Sequence, residues 1–211
     1  DLRDGTDIRD SGQFNYHLDK LRGQFVTKTP EGYELTAAGT QINGAIEAGS
    51  YTSSGTMEPI VLDEPCSACG GERTFHYEDE LASVTCESCG RQADFSVPPS
   101  AFVDSDRSTI PTVAARYLRA IIERLENGFC SQCDGPVERR VCRVADASFW
   151  GGAGDEDEPP DDIGELPIVE YECLQCGMEP TSGLTFSLLT DPHVVSFYHE
   201  HGVDVRNRSL W

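Results

Sequence analysis

The sequence predicts an α+β protein in which a helix–hairpin–helix unit precedes two four-cysteine modules with connecting helices. Apolar residues recur at helical spacing in some segments and alternate in others. Eight of the nine cysteines form four Cys-x-x-Cys pairs, and the length of 211 residues leaves room for two or three small domains. We therefore expect an N-terminal unit at residues 1–49, a linker at 50–59, a first module at 60–128 and a second module at 129–211.

The N-terminal unit is predicted to begin with a helix over Ser11–Leu21. Ser11 is a suitable N-cap for this helix. Its apolar residues at helical spacing are Phe14, Leu18 and Leu21. The helix is therefore expected to bury one face and to leave the other face polar.

A predicted hairpin follows this helix. Strands at residues 25–29 and 33–36 flank a turn with proline at its second position and glycine at its fourth, a favourable turn composition. Thr36 is then expected to cap a second helix, whose apolar residues are Ile42, Ala45 and Ile46. Residues 49–55 are rich in Gly and Ser, which predicts a flexible linker.

A longer helix and an acidic segment mark the second half of the chain. One apolar stripe at helical spacing comprises Ile110, Val113, Ala114, Tyr117, Leu118, Ile121, Ile122 and Leu125, and Gly128 ends the helix. Within residues 151–165, seven of the eleven residues from Asp155 to Glu165 are acidic and none is basic. Such a segment cannot form a core, so a disordered insertion is expected.

The two modules resemble an internal duplication. In each, paired Cys-x-x-Cys knuckles are followed by a predicted strand, at residues 95–97 and 186–188, and then by a helix. In the second module Asp191 and Pro192 predict the N-cap and first residue of that helix, which ends at Gly202.

The cysteine spacing predicts two metal sites. Two residues between thiolates let one turn direct both sulfurs at one ion, and the glycine that follows most of the pairs permits a left-handed backbone. A hairpin of residues 73–77 and 82–85 would bring the first two knuckles together. The acidic insertion separates the second two knuckles, at a small cost in loop-closure entropy; pairing across the modules is the alternative. The expected ligands are Cys66, Cys69, Cys86 and Cys89 in one site and Cys130, Cys133, Cys173 and Cys176 in the other.

Four thiolates close a tetrahedral site and leave no position for a substrate, so two structural Zn²⁺ ions per chain are expected. Iron in a rubredoxin-like site uses similar knuckles and is the alternative.

Cys142, on a predicted strand at residues 137–144, is left over and is expected to be a buried thiol, with a reactive or sensing cysteine as the alternative. His199 and His201 are two residues apart on a predicted helix and would point to different faces, which argues against a metal site there.

The composition is strongly acidic, with a net charge of -21, and only Lys20 and Lys28 of the 16 basic residues are lysines. This balance suits a salt-rich cytosol and predicts a halophilic origin; an ordinary acidic protein is the alternative.

No apolar stretch approaches the ~20 residues that span a bilayer, and no signal peptide is evident. Cys-x-x-Cys pairs fit a reducing compartment. We therefore expect a cytoplasmic protein without membrane contact.

Two segments of the N-terminal unit carry a resemblance to a known family. Residues 13–21 (Gln-Phe-Asn-Tyr-His-Leu-Asp-Lys-Leu) and 33–39 (Tyr-Glu-Leu-Thr-Ala-Ala-Gly) resemble the recognition helix and wing of ArsR-like winged helix-turn-helix transcription regulators. In that family the recognition helix contains a polar residue followed by Tyr or Arg, then His and Leu, and this run ends in a further Leu. A Tyr-x-Leu-Thr-x-x-Gly run leads out of the wing. The whole chain, with its zinc ribbons, looks like a group of such regulators from halophilic archaea.

The resemblance implies a winged helix that binds double-stranded DNA as a homodimer. Short polar side chains on a helix in the major groove can read base edges, and a wing contacts the neighbouring backbone. His17 is expected to be a support residue beneath the helix. Candidate dimer surfaces are the helix around residues 42–46 and the helix at 112–126. The expected DNA contacts are Ser11, Gln13, Asn15, Tyr16, Lys20, Lys28 and Thr29.

The sequence departs from the family pattern in three respects. The helices that normally precede the recognition helix are represented only by residues 2–8, so the winged helix is incomplete. Residues 11–45 have zero net charge, a poor electrostatic footprint for DNA. Members of the family that sense arsenic or metals carry cysteines in the recognition helix. This chain has none there, so the resemblance does not imply metal sensing.

Two further interpretations of the chain stay open. It could be a zinc-ribbon adaptor of the transcription or translation machinery, or a rubredoxin-like electron carrier. No catalytic constellation is visible in the sequence, so neither an enzyme nor a small-molecule substrate is expected.

Overall fold

The computed structural model describes residues 2–49, 55–148, 163–205 and 210 and has a mixed α+β architecture with three small antiparallel sheets. The helices are α1 (Ser11–Leu21), α2 (Ala37–Glu47), α3 (Ile110–Glu126), α4 (Leu184–Ser187) and α5 (Pro192–Glu200). The strands are β1 (Val26–Thr29), β2 (Gly32–Leu35), β3 (Thr56–Val61), β4 (Arg73–Glu78), β5 (Leu81–Cys86), β6 (Gln92–Ser96), β7 (Val137–Arg143), β8 (Pro167–Cys173) and β9 (Thr181–Gly183).

Two of the predicted segments lie wholly or partly outside the described residues. These are most of the acidic insertion at 151–165 and the first half of the linker at 50–59. The second half of that linker is in fact the beginning of β3, where Met57 pairs with Tyr77 and packs against the first core. None of the helices in the described part of the chain has the length and apolar character needed to cross a membrane.

Helix α1 has the predicted bounds, but its N-cap is Asp10 and not Ser11. The Asp10 carboxylate accepts a hydrogen bond from the backbone N–H of Gln13 at 2.7 Å. A carboxylate at this position also interacts favourably with the positive end of the helix dipole, which Ser11 could not do. Phe14 and Leu18 are half-buried, whereas Leu21 at the end of the helix is 44% exposed, so the predicted apolar face is only partly covered.

The hairpin and α2 form one hydrogen-bonded unit. Strands β1 and β2 pair antiparallel with Thr29 opposite Gly32, which places the turn where it was predicted. Thr36 caps α2 by accepting from the N–H of Gly39 at 3.1 Å, and its hydroxyl donates to the Gln24 carbonyl at 2.6 Å. Its own N–H donates to the Phe25 carbonyl at 2.9 Å. These bonds fix α2 to the base of the hairpin.

Gly39 is needed at the closest approach between α2 and the hairpin. A Cβ at this position would lie far inside van der Waals contact of the Phe25 carbonyl oxygen. We expect Gly39→Ala to destabilise the N-terminal unit by about 1–3 kcal/mol in chemical denaturation, because the clash is with backbone that cannot rotate away. Gly44→Ala in the same helix meets nothing within 4 Å and should stabilise it by up to about 1 kcal/mol. Equal effects of the two substitutions would contradict the close approach.

The first module is a four-stranded antiparallel sheet in the order β3-β4-β5-β6. Strands β4 and β5 form the predicted hairpin, with Arg73 opposite Cys86, and β6 overlaps the predicted strand at 95–97. The buried core comprises Phe75, Tyr77, Ala82, Val84, Phe95, Val97, Ile110 and Ala114. Two of these residues come from α3, so the sheet and the helix form one core.

Helix α3 contacts the cores of both modules. Ile110 and Ala114 near its start complete the first core, and Leu125 near its end packs with Val169 and Tyr171 in the second. Gly128, with φ of 83°, follows the end of the helix as predicted. Much of the apolar stripe that was a candidate dimer surface is therefore covered within the chain.

The second module has a three-stranded antiparallel sheet in the order β7-β8-β9. The prediction of a strand at 186–188 is wrong, because most of this segment belongs to α4. Leu184 packs from α4 against the second core, and the Ser187 hydroxyl donates to the Leu184 carbonyl at 2.8 Å. Helix α5 is as predicted, with Asp191 accepting hydrogen bonds from the two backbone N–H groups that follow Pro192.

Candidate metal centres and the exposed face of α1

Four cysteine sulfurs of the first module lie close together. The Cys66 and Cys89 sulfurs are 3.8 Å apart, and those of Cys69 and Cys86 are 3.5 Å apart. All four sulfurs lie within 4.8 Å of one another. The β4–β5 hairpin therefore brings the two knuckles together as the spacing predicts.

The second module has the same arrangement. The Cys130 and Cys176 sulfurs are 3.7 Å apart, and those of Cys133 and Cys173 are 3.5 Å apart. The sulfurs group within each module, so pairing across the modules does not occur. The predicted pairing of knuckles on either side of the acidic insertion is correct.

The sulfur positions fit a tetrahedral metal ion. With metal–sulfur bonds of about 2.3 Å, neighbouring sulfurs of a tetrahedron are about 3.8 Å apart. The observed separations of 3.5 to 3.8 Å are close to this edge and far from the ~2.05 Å of a disulfide bond. Each group could therefore hold one ion, which makes two ions per chain.

All four knuckles share one backbone pattern. In each, the N–H of the first cysteine donates to the carbonyl five residues later, and the N–H four residues later donates back to the carbonyl of that cysteine, at 2.8 to 3.2 Å. The residue after the second cysteine has a positive φ. These residues are Gly70, Gly90, Asp134 and Gly177. Asp134 shows that an aspartate can take the place of the glycine in this turn.

Two glycines that sequence reasoning did not single out are required where the knuckles meet. A Cβ on Gly71 would lie 2.6 Å from the Ser88 Cβ, and one on Gly135 would lie 2.5 Å from the Gln175 Cβ. Both glycines stand two residues after the second cysteine of the first knuckle in their module. This shared position in the sequence could have identified both glycines.

The electrostatics of each group suit a bound cation. Backbone N–H groups of Ala68 and Cys69 lower the pKa of the Cys66 thiol to about 6, and the N–H of Cys176 lowers that of Cys173 to about 6. In Cys69 the N–H of Gly71 acts in the same direction, but the neighbouring sulfurs raise its pKa to about 12. Burial opposes the same effect in Cys86, yet the N–H groups of Cys89 and Ser88 lower the pKa of its thiol as well. Four thiolates would form together only around a metal ion.

The second metal centre also contacts the N-terminal unit and α3. Asp134 forms an ion pair with Arg124 of α3, and its other oxygen accepts a hydrogen bond from the Gln41 amide of α2 at 3.3 Å. Arg124 in turn donates to the Cys130 carbonyl at 3.1 Å. The knuckle residue that replaces glycine therefore links three parts of the chain.

The polar side chains of α1 are exposed. Gln13, Tyr16 and Lys20 are three and four residues apart, so they share one face, and the Lys20 ammonium lies 5.3 Å from the centre of the Tyr16 ring. Asn15 and Ser11 are also exposed, but each is two residues from Gln13 and so points away from this face, towards the side of the half-buried apolar residues. His17, predicted as a support residue beneath the helix, is exposed and packs its ring edge-on against Tyr16.

The two hairpin residues predicted to contact DNA differ in accessibility. Lys28 is exposed on β1. The Thr29 hydroxyl oxygen has almost no solvent-accessible surface and, in the described structure, no hydrogen-bond partner. In this conformation the hairpin therefore offers Lys28 and the exposed turn to a ligand, but not the Thr29 hydroxyl.

The remaining cysteine and the histidine pair lie apart from both metal centres. Cys142 is half-buried on β7, and burial together with the Glu170 carboxylate raises the pKa of its thiol. Glu170 itself accepts from the Ser148 N–H at 2.6 Å and pairs with Arg140. His201 interacts with the Phe197 carbonyl at 2.7 Å, and neither it nor His199 belongs to a cluster of metal-binding groups within the described residues.

Comparison with known proteins divides the chain at the segment between α2 and the first knuckle. The model of one family, described as a domain of unknown function (DUF7347), matches residues 1–46. The model of a second, described as a domain of unknown function (DUF7351), matches residues 63–211 and so includes both metal centres and α3. No curated protein and no solved structure matches the chain. Because the second match covers more than half of the sequence, the chain belongs to the DUF7351 family.

Proposed function

We propose that this protein is a dimeric DNA-binding transcription regulator whose two four-cysteine centres hold structural Zn²⁺. The observation that carries the proposal is the exposed polar face of α1 directly before a two-stranded hairpin. In a winged helix such a helix enters the major groove and the hairpin contacts the adjacent backbone. Gln13 and Tyr16 are exposed on this face of α1 and Lys28 on the hairpin, which suits these two roles.

Zinc suits both centres better than a redox metal. Each site has four sulfur donors, two buried and two exposed, and no fifth protein ligand within the described residues. A closed tetrahedron of four cysteine thiolates is the usual structural zinc site. Purified protein should accordingly be colourless; a red protein containing iron would instead favour the electron-carrier interpretation.

Helix α2 is the surface best suited to a second copy of the chain. Its 11 residues include only one charge, Glu47 at the last position, on a chain with a net charge of -21. Ala38, Ile42 and Ile46 are four residues apart and exposed, so they form an apolar stripe. Two copies can meet there with little charge repulsion. The mass of the free protein in solution tests this arrangement, and a monomer would exclude it.

The DNA-binding proposal is tested by selecting sequences from a random library and measuring substitutions on the best one. We expect Gln13→Ala to cost roughly 1–3 kcal/mol on the selected site and much less on unrelated DNA, because an amide that reads a base carries sequence information. Lys28→Ala should weaken binding to all sequences about equally, because a phosphate contact does not distinguish bases.

Gln92→Ala is the matched control for Gln13→Ala. Gln92 is an exposed amide on β6 of the first module, far along the chain from α1, and it should not affect DNA binding. If the library yields no preferred sequence, or if the α1 and hairpin substitutions leave affinity unchanged in folded protein, the adaptor interpretation is favoured instead.

A further inference from the structure

A cavity lies between α3 and the segment that contains α4, outside both metal centres and the face of α1. Its volume is ≈ 240 Å³, below the roughly 300–1,000 Å³ typical of pockets for drug-sized molecules. This size favours a ligand as small as a single amino acid. The lining residues are Arg119, Ile122, Glu123, Phe186, Leu189 and Thr190.

The cavity is lined by apolar side chains together with one basic and one acidic side chain. Ile122, Phe186 and Leu189 provide the apolar surface. Arg119 and Glu123 are four residues apart on α3, so their side chains lie on the same face one turn apart. Apolar surface with a few convergent polar groups is the usual composition of a small-molecule site.

Arg119, at one end of the cavity, is partly buried. Burial lowers the pKa of its guanidinium, while the nearby Asp204 carboxylate raises it. Arginine remains charged under these conditions, and its five N–H donors can serve Asp204 and a ligand carboxylate together. A second cavity of ≈ 260 Å³ shares Arg119 with the first and extends towards Tyr198 of α5. Arg119 therefore borders both cavities.

The opposite end of the cavity is acidic. Glu123 also borders a neighbouring polar cavity, whose lining includes the carboxylates of Glu126 and Asp191. Arg139 lies there too, but it forms an ion pair with Glu126. An ammonium group beside Glu123 would therefore meet negative charge, while a carboxylate at the other end would meet Arg119.

We propose that this cavity binds a free amino acid with an apolar side chain, its carboxylate at Arg119, its ammonium group near Glu123 and its side chain against Phe186 and Leu189. The site does not depend on the proposed DNA binding. A bound ligand would contact α3 and the α4 segment at once, and α3 contributes to both cores. It would thus stabilise the DUF7351 part of the chain.

The test is calorimetric titration of the full chain with both metal ions bound. L-Leucine and L-phenylalanine are the probes; 4-methylpentanoate lacks the ammonium group of leucine, and isopentylamine lacks its carboxylate. We expect saturable binding of at least one amino acid and roughly tenfold or more weaker binding of both analogues, since each loses one charged contact.

Substitutions in the same helix locate the site. Glu123→Gln and Arg119→Gln should each weaken amino-acid binding roughly tenfold or more. Arg116→Gln is the control, because Arg116 is an exposed arginine on α3 that does not line the cavity. Metal content and circular dichroism confirm that each variant is folded. Equal binding of the analogues, equal affinity in Glu123→Gln, or no binding of either amino acid would overturn the proposal. None of these results would bear on DNA binding, which is measured without amino acid.

Discussion

Replacing Cys66 with serine should remove one of the two metal ions and unfold the first module, and Cys173→Ser should do the same to the second. Both cysteines are buried, with 6% and 2% of their surface exposed, and each lies where two knuckles meet. Structural zinc in small domains contributes on the order of 10–16 kcal/mol to folding, more than a core of this size can replace. Elemental analysis should find one metal ion in each variant and two in the native chain.

Cys142→Ser is the matched control for these two substitutions. Cys142 is half-buried, and its sulfur belongs to neither group of four. This variant should keep two metal ions and the native stability within about 1 kcal/mol. Native protein with one metal ion or fewer, or metal loss from Cys142→Ser, would show that the ligand sets are different from those described above.

Amide hydrogen exchange would show how far the unfolding that follows each metal loss extends along the chain. Because α3 contributes Ile110 and Ala114 to the first core and Leu125 to the second, the two variants should expose opposite ends of this helix. Cys66→Ser should speed exchange in its first turns, and Cys173→Ser in its last turns. Uniform exchange along α3 in both variants would indicate a single cooperative unit.

Under the proposed function, DNA affinity should depend on salt far less than for an ordinary DNA-binding protein. Each phosphate neutralised contributes about -0.9 to the slope of log affinity against log salt. Lys20, Arg22 and Lys28 in two protomers would give about -5 by this rule. However, Asp19 pairs with Arg22 at 2.9 Å, and the chain has a net charge of -21, so cations must bind the protein as others leave the DNA.

We therefore expect a slope clearly shallower than about -4 in potassium chloride between about 0.2 and 2 M, with binding that persists at molar salt. Asp19→Asn is an informative comparison, because it frees Arg22 for a phosphate and should steepen the slope by about 1 per protomer. A native slope of about -5 or steeper would mean that the acidic surface has no part in DNA binding.

Local spacing was sufficient to predict the two groups of four cysteines, the hairpins and most helix ends. Two thiolates in one turn, or a proline and a glycine at fixed turn positions, restrict the backbone over a few residues, and the sequence contains all of that information. The N-cap of α1 was misplaced by one residue because Asp10 and Ser11 are both good caps. Only the carboxylate to Gln13 N–H distance of 2.7 Å distinguishes them.

Features that depend on distant parts of the chain were not predictable in the same way. Phe186-Ser187-Leu188 alternates like a strand, but three residues are too few to distinguish a strand from a helical turn. The apolar stripe of α3 was predicted correctly, yet the sequence does not say whether a second copy or the chain itself covers it. The inward orientation of the Thr29 hydroxyl is likewise decided by its neighbours in the hairpin.

The position of α3 between two cores has a consequence for the order in which the protein forms during synthesis. The partners of Ile110 and Ala114 precede them in the chain, so this end of the helix can dock as it leaves the ribosome. Leu125 must wait for Val169 and Tyr171, which are translated after the whole acidic insertion. During that interval the nascent chain exposes an apolar helix end, and the supply of metal to the first site determines whether the other end is already anchored.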